Sequence, residues 1–340
     1  MFTRKRIIAA IVLSLLLIYT VIAVCPRPDN YKGENTMMKD GELPILIAHG
    51  GGNKEFPDNT LEAFYNAYSV DERVMMETDV SITKDGVVIL SHDVTIDRKT
   101  NATGAIADWN YSDLIEQRID FSYTNKTKSQ KLVEGSERVK FKTDDGKEVT
   151  PLDVEYPEGV EPRDPEVFLA TTLEELIRAF PNNKINVEIK QDGEKGKEAF
   201  DAILAILERN DAFDRVVLAS FHSEIYDEFR RYQKEGLVPD NFMYSPGTAG
   251  AAKYLIMYLT GVDLFFTDGM CVFQIPTDEY GINLMRPDMI KNAHRHNLAV
   301  HYWTIDDKET MRELIDIGAD GIMTNYPHRL KEVLDERAEG

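Results

Sequence analysis

Cysteine is nearly absent from the 340 residues. Only Cys25 and Cys271 occur, too few for a disulfide framework, and Cys25 stands at the end of an apolar run, so no bridge between the two is expected. Basic residues are short as well. The 39 Lys and Arg stand against 59 Asp and Glu, a formal net charge of -20 and a pI of about 4.8. A surface of that sign excludes nucleic acid as a partner, because binding to a phosphate backbone needs a basic face. Any phosphate ester bound here must depend on cations held locally. Aromatics reach 9% against 43% hydrophobic residues overall, and the length allows one large α/β domain or two small ones. One, with appendages, is expected.

Apolar residues run almost unbroken from Ile7 to Val24, after the cluster Arg4-Lys5-Arg6. A run of that length can span a bilayer, and the basic cluster should stay cytoplasmic, leaving the rest outside. A cleaved signal peptide and a lipoprotein signal ending at Cys25 are the alternatives, yet Ile22-Ala23-Val24 matches neither kind of cleavage site well. The reading is an uncleaved anchor over residues 1–25, in a single-pass protein of the cell membrane with its catalytic domain extracytoplasmic. Residues 26–43 carry Pro, Gly and charges without period and read as a tether.

The stretch Met75 to Asp93, MMETDVSITKDGVVILSHD, proposes a metal site and a proton-transfer group in one hairpin. Glu77 and Asp79 are two apart, which in a strand sets both carboxylates on one face, as two oxygen ligands of one hard cation require. Lys84-Asp85-Gly86 signals a turn, and Val87 to Leu90 returns toward His92. With Asp85-Gly86 as a two-residue loop, His92 falls opposite Asp79; a turn one residue earlier sets it opposite Glu77. A solvated acidic edge hairpin is the plainer alternative.

Pro44 opens the globular part. Ile45 to Ala48 is a short strand ending in His49-Gly50-Gly51-Gly52, and Asp58-Asn59-Thr60 caps a helix. Val94 to Asp164 is irregular, polar and rich in Lys and acid, and is read as an insertion of about 94–170, a lid near the site or a loop. From Thr172 strands and helices alternate with short connections to a closing helix near His328. That order predicts parallel βαβ units and an α/β fold, a closed (β/α)₈ barrel over residues 44–330, with an open doubly wound sheet as the alternative.

A barrel of this kind places its site at the carboxyl ends of the strands. His49, Glu77, Asp79, Glu188, Lys190, Phe221, His222, Trp303 and Asn325 all fall at or near such ends. Asn186, Glu188 and Lys190 alternate with Ile185, Val187 and Ile189 in a strand that should be buried, a costly pattern unless the inward carboxylate meets a cation or a hydrogen-bond donor.

His49-Gly50-Gly51, Pro57-Asp58-Asn59-Thr60, Glu77-Thr78-Asp79-Val80, Lys84-Asp85-Gly86, His92-Asp93, Glu188-Ile189-Lys190, Ser220-Phe221, Trp303-Thr304 and Thr324-Asn325-Tyr326-Pro327 together resemble the glycerophosphodiester phosphodiesterase family. The resemblance runs from about Ile45 to Pro327. It implies a TIM-type barrel that uses one divalent cation, Ca²⁺ or Mg²⁺, to hydrolyse glycerophosphodiesters to glycerol 3-phosphate and an alcohol. By position it implies Glu77, Asp79 and Glu188 as metal ligands, His49 and His92 as the acid/base pair, and Lys190 and Trp303 as substrate contacts. Two departures stand out. The family usually has His-Arg-Gly where this chain has His49-Gly50-Gly51, and Pro-Glu-Asn-Thr where it has Pro57-Asp58-Asn59-Thr60. Arginine is a bidentate phosphate clamp, and the backbone N–H groups of Gly50 to Gly52 are the expected partial substitute. Lysophospholipase D activity, a phosphatidylinositol phospholipase C-like activity and a surface binding protein are the alternatives.

Overall fold

The computed structural model describes residues 4–125 and 137–339. Helix α1 (Arg4–Val24) is exposed along nearly its whole length and is long and apolar enough to cross a membrane. The main sheet takes β1 (Ile45–His49), β2 (Met75–Ile82), its antiparallel return β3 (Val88–Leu90), β4 (Ile185–Ile189), β5 (Val216–Ala219), β6 (Met243–Ser245), β7 (Val272–Ile275), β8 (Ala299–Tyr302) and β9 (Gly321–Thr324). Its order is β6-β5-β4-β2-β1-β9-β8-β7, with β3 on β2. Eight strands are parallel. At the seam between β6 and β7, Cys271 N–H donates to Tyr244 O at 3.1 Å, so the ring is nearly closed. This is the barrel rather than the open sheet.

Helices α2 (Leu61–Val70), α3 (Leu173–Ala179), α4 (Gly193–Arg209), α5 (Ser223–Glu235), α6 (Thr248–Thr260), α7 (Pro287–His294), α8 (Lys308–Ile317) and α9 (Pro327–Glu339) surround it. Their starts follow capping chemistry. The Thr60 hydroxyl accepts from Ala63 N–H, and Thr172 forms a reciprocal box with Glu175, each satisfying backbone donors that a helix leaves open.

Inside the barrel the pattern changes along β1, β2 and β9. Ile47, Met75, Val217, Met243, Val272, Ala299 and Met323 form an apolar floor. Two residues further along their strands, on the same face by the alternation of a strand, come His49, Glu77 and Asn325. The charged residues of β4 therefore point into the mouth and not to an outer edge.

Two expectations are corrected. Residues 26–43 do not behave as a free tether, because Tyr31 and Met37 join that apolar floor and close the barrel from its amino end. Asn35 Nδ2 donates to the carbonyls of Cys271 (2.7 Å) and Asn297 (2.8 Å), and His301 Nε2 lies 2.8 Å from Met37 O. An aperiodic segment can still be ordered when its side chains fill a hole. The hairpin register is the other correction. Val80 pairs with Leu90 and Ile82 with Val88, and Thr83 N–H donates to Val87 O, so the loop has three residues, with Gly86 at φ +80°. A left-handed third position suits such a loop. His92 falls level with Thr78, opposite neither carboxylate.

The insertion holds a short helix, Tyr111–Glu116, and a two-stranded ribbon of Tyr123–Asn125 and Arg138–Lys140; its residues 126–136 lie outside the described ones. Asp144 comes within 3.9 Å of Lys54 and accepts a bond from the Tyr326 hydroxyl, so the insertion reaches the loops after β1 and β9.

Candidate active site

Strand register assembles the acidic group. His49 is level with Glu77 across β1 and β2, and Asp79 with Glu188 across β2 and β4. One oxygen from each of Glu77, Asp79 and Glu188 lies within 4.8 Å of the others. Two oxygens bound to one cation by bonds of ~2.0–2.6 Å lie at most ~4.0–5.2 Å apart, so the spread is of the size a shared cation needs. Burial, then the charge of Asp79, pushes Glu77 up to about 7. The same two causes raise Glu188. Three hard-oxygen donors, buried at Glu77 and Asp79 and partly buried at Glu188, fit a divalent cation, and these are the residues to hold it.

Lys190 is the chain's own counter-charge. Its Nζ lies 2.7 Å from Glu188 Oε1 and 2.9 Å from Asp79 Oδ1. Burial works against the ammonium, yet Asp79 and Glu188 outweigh it and raise its pKa. Phe221 and Trp303 meet edge to face beside it, 6.3 Å between ring centroids.

Both histidines are oriented from behind. His49 Nδ1 lies 2.6 Å from Asn325 Oδ1, and Asn325 in turn donates Nδ2–H to Asp306 at 2.7 Å. His92 Nδ1 lies 2.9 Å from Asp93, whose carboxylate is held by both arms of Arg98 at 2.7 and 2.8 Å. An Nδ1–H engaged in this way leaves Nε2 as the ring's free atom. For His92 the bond to Asp93 favours the charged form. For His49 burial opposes it, and Glu77 and Asp79 more than compensate. His49 Nε2 lies 4.0 Å from Glu77 Oε2.

These groups line one end of a cavity of about 640 Å³. Leu255, Ile256, Tyr280, Ile282 and Leu284 line another part of it. His49, Glu77, Asp79, His92, Glu188, Lys190 and Trp303 are thus brought together. Gly50 and Gly51 are not: Gly50 N–H donates to Glu77 Oε2 at 2.8 Å and Gly51 N–H to Ala48 O. Both donors are therefore taken within the protein, and a Cβ on Gly51 would lie 2.8 Å from Ala63 Cβ.

A family model, described as the glycerophosphoryl diester phosphodiesterase family, matches residues 49–329. The chain belongs to this family. "Probable glycerophosphodiester phosphodiesterase 2" of Mycobacterium tuberculosis is 26% identical to it, over 89% of this chain and 98% of that one. Rat "Lysophospholipase D GDPD1" is 24% identical over 85% of each. Among solved structures, an Oleispira antarctica phosphodiesterase in complex with the product sn-glycerol-3-phosphate shares the fold with a TM-score of 0.58 at 18% identity, over 86% of this chain and 97% of that one.

Sequence reasoning passed over several residues in this family member's site. Asn59, read only as part of a cap and a motif, has a left-handed backbone (φ +60°), donates to Asp79 Oδ2 at 3.0 Å and accepts from Asp79 N–H. Asp306 and Arg98 stand behind the histidines. Asp93-x₄-Arg98 carries a local signal, an acid and a base beside a candidate histidine; Asp306 carries none.

Proposed function

We propose that this chain hydrolyses glycerophosphodiesters to glycerol 3-phosphate and an alcohol, with one divalent cation, Ca²⁺ or Mg²⁺, held by Glu77, Asp79 and Glu188. The convergence of those three carboxylates between two back-anchored histidines carries the reading. Bound there, a divalent cation supplies Lewis-acid charge against the phosphodiester oxygens and lowers the pKa of a hydroxyl it touches. His49 and His92 move the protons. As an oxygen attacks phosphorus, its proton passes to Nε2 of one imidazole; as the P–O bond to the alcohol breaks, the other imidazole donates a proton to the departing oxygen. Each transfer contributes ~10²–10⁴-fold. Lys190 places a positive charge beside the phosphate, and Trp303 with Phe221 packs against the substrate body. The residues that orient the rings, Asn325 and Asp93, keep each proton on the nitrogen that faces away.

Helix α1 holds the enzyme on the membrane with the barrel extracytoplasmic, in this reading. The apolar part of the cavity favours a second substrate class, the acylated glycerophosphodiesters that a lysophospholipase D cleaves, since Leu255, Ile256 and Ile282 offer a surface a free headgroup does not use. A binding-only role is not favoured, because each metal and proton-transfer position is filled.

The test is release of glycerol 3-phosphate from glycerophosphocholine, glycerophosphoethanolamine and glycerophosphoglycerol, and of choline from lysophosphatidylcholine, with chelator and then Ca²⁺ or Mg²⁺. Turnover that chelator abolishes and a cation restores is expected. Absence of phosphodiester cleavage on every substrate with either cation would overturn the reading.

A further inference from the structure

Four apolar side chains stand out from one flank of the barrel. Ile256 (61% exposed) and Leu259 (50%) lie on α6, and Val262 (39%) and Phe265 (67%) follow in the turn behind it. Positions three apart share a helix face. A surface helix ordinarily turns charge outward, but α6 has a single charged residue, Lys253, in its sequence TAGAAKYLIMYLT.

The flank adjoins the outer end of α1. Arg27, three residues beyond that helix, pairs with Asp263 at 2.5 and 3.1 Å and also donates to Ile22 O and Cys25 O. One guanidinium therefore ties the last turn of α1 to the residue between Val262 and Phe265. Arg295 Nη2 donates to Cys25 O as a second tie. Tyr19, five residues before the end of α1, comes within 3.9 Å of where a Cβ on Gly261 would sit.

The helical rise converts this into depth. The apolar part of α1, Ile7 to Val24, extends ~27 Å at 1.5 Å per residue, close to the ~30 Å of a hydrocarbon core. Five residues are ~7.5 Å, so Tyr19 lies just inside the outer boundary, where tyrosine rings settle. Gly261, which Tyr19 approaches, shares its level and stands between Leu259 and Val262 in the chain.

We propose that the ridge Ile256, Leu259, Val262 and Phe265 seats in the outer surface of the bilayer that α1 crosses, docking the barrel in one orientation. The occupant is the lipid surface, reached through apolar contact, since a chain of net charge -20 gains nothing from anionic headgroups. Such contacts sink ~5–10 Å into the headgroup boundary, which matches the depth above. Ile256 also lines the catalytic cavity, so docking turns that apolar wall toward lipid. The proposal rests on α1 spanning the membrane.

Full-length protein carrying Cys25→Ser, with the buried Cys271 left in place, takes single cysteines at exposed positions: Leu13→Cys in α1, Leu259→Cys and Phe265→Cys on the ridge, and Leu152→Cys in the insertion across the barrel. Each is labelled with bimane and reconstituted into phosphatidylcholine vesicles with or without lipid bearing a nitroxide, placed near the headgroup for 259, 265 and 152 and deep in the acyl chain for 13 and 152. Labels at 13, 259 and 265 should be quenched about two-fold or more beyond the label at 152. Quenching at 13 with 259 and 265 no different from 152 overturns the docking alone. An unquenched label at 13 overturns the spanning helix and the docking with it.

Discussion

Replacing Lys190 by methionine removes one positive charge while keeping a side chain of similar length. The ammonium lies 2.7 Å from Glu188 Oε1 and 2.9 Å from Asp79 Oδ1, with the side chain 16% exposed. At an effective dielectric of about 20 each attraction is gross ~6 kcal/mol, and desolvation of the partners offsets much of it. Breaking a buried pair by removing one partner costs about 3–5 kcal/mol, because the remaining charges are left without compensation. Here two carboxylates lose their neighbour beside a third, Glu77, that burial and Asp79 already push up to about 7. At roughly 2 °C per kcal/mol for a large domain, Lys190→Met in chelator should melt about 6–10 °C below wild type. The cation should then act as the substitute. At a hundred times its Kd it stabilises wild type by about 2.7 kcal/mol, and it should stabilise Lys190→Met by more, since its ligands are no longer shared with an ammonium. Thermal denaturation of both proteins in EDTA and in saturating Ca²⁺ or Mg²⁺ measures this. A variant that melts with wild type in chelator, or gains no more than wild type from either cation, would refute the reasoning.

His49→Ala and His92→Ala should each lower kcat by ~10²–10⁴-fold with KM and melting temperature nearly unchanged; steady-state kinetics on the best substrate decides, and near wild-type kcat in both would remove their proton roles. Gly50→Arg should not restore a phosphate clamp, because its Cβ would lie 2.9 Å from Asp58 Cβ on a backbone at φ +56°; a loss of about 1–3 kcal/mol without a lower KM is expected, and tighter substrate binding would show the loop is free to adapt. Met37→Ala, at a fully buried position in the barrel floor, should cost about 2–5 kcal/mol, whereas a free tether would leave the melting temperature where it was. Burial opposes the charged form of Asp263, but Arg27, Asn292 and His296 outweigh it and hold it at about 2. A depressed carboxylate contributes stability above its unfolded pKa of ~3.9 and loses it as pH falls through the folded value, about 2 kcal/mol in all. Melts of wild type and Asp263→Asn should therefore converge between about pH 4 and pH 2, and a constant gap would contradict the pairing.

Local chemistry made much of this molecule legible before any coordinates. Thr60 and Thr172 mark helix starts through bonds that span three residues, and the two-residue spacing of Glu77 and Asp79 sets both on one face in any strand. The polar alternation of Asn186, Glu188 and Lys190 revealed an inward charged face because burying such residues demands partners. What only the closed barrel decided involves residues far apart in sequence. His49 meets Asn325 276 positions away, and Asp306 stands behind it without any periodic signature, since β1 and β9, the first and last strands of the chain, pair only in the assembled sheet. The hairpin register turned on one glycine's left-handed backbone, which made a three-residue loop where the pattern alone allowed a shorter one. Residues 26–43 carry no period because no helix or strand orders them. They are ordered by the hole they fill at the amino end of the barrel, and that hole exists only in the tertiary structure.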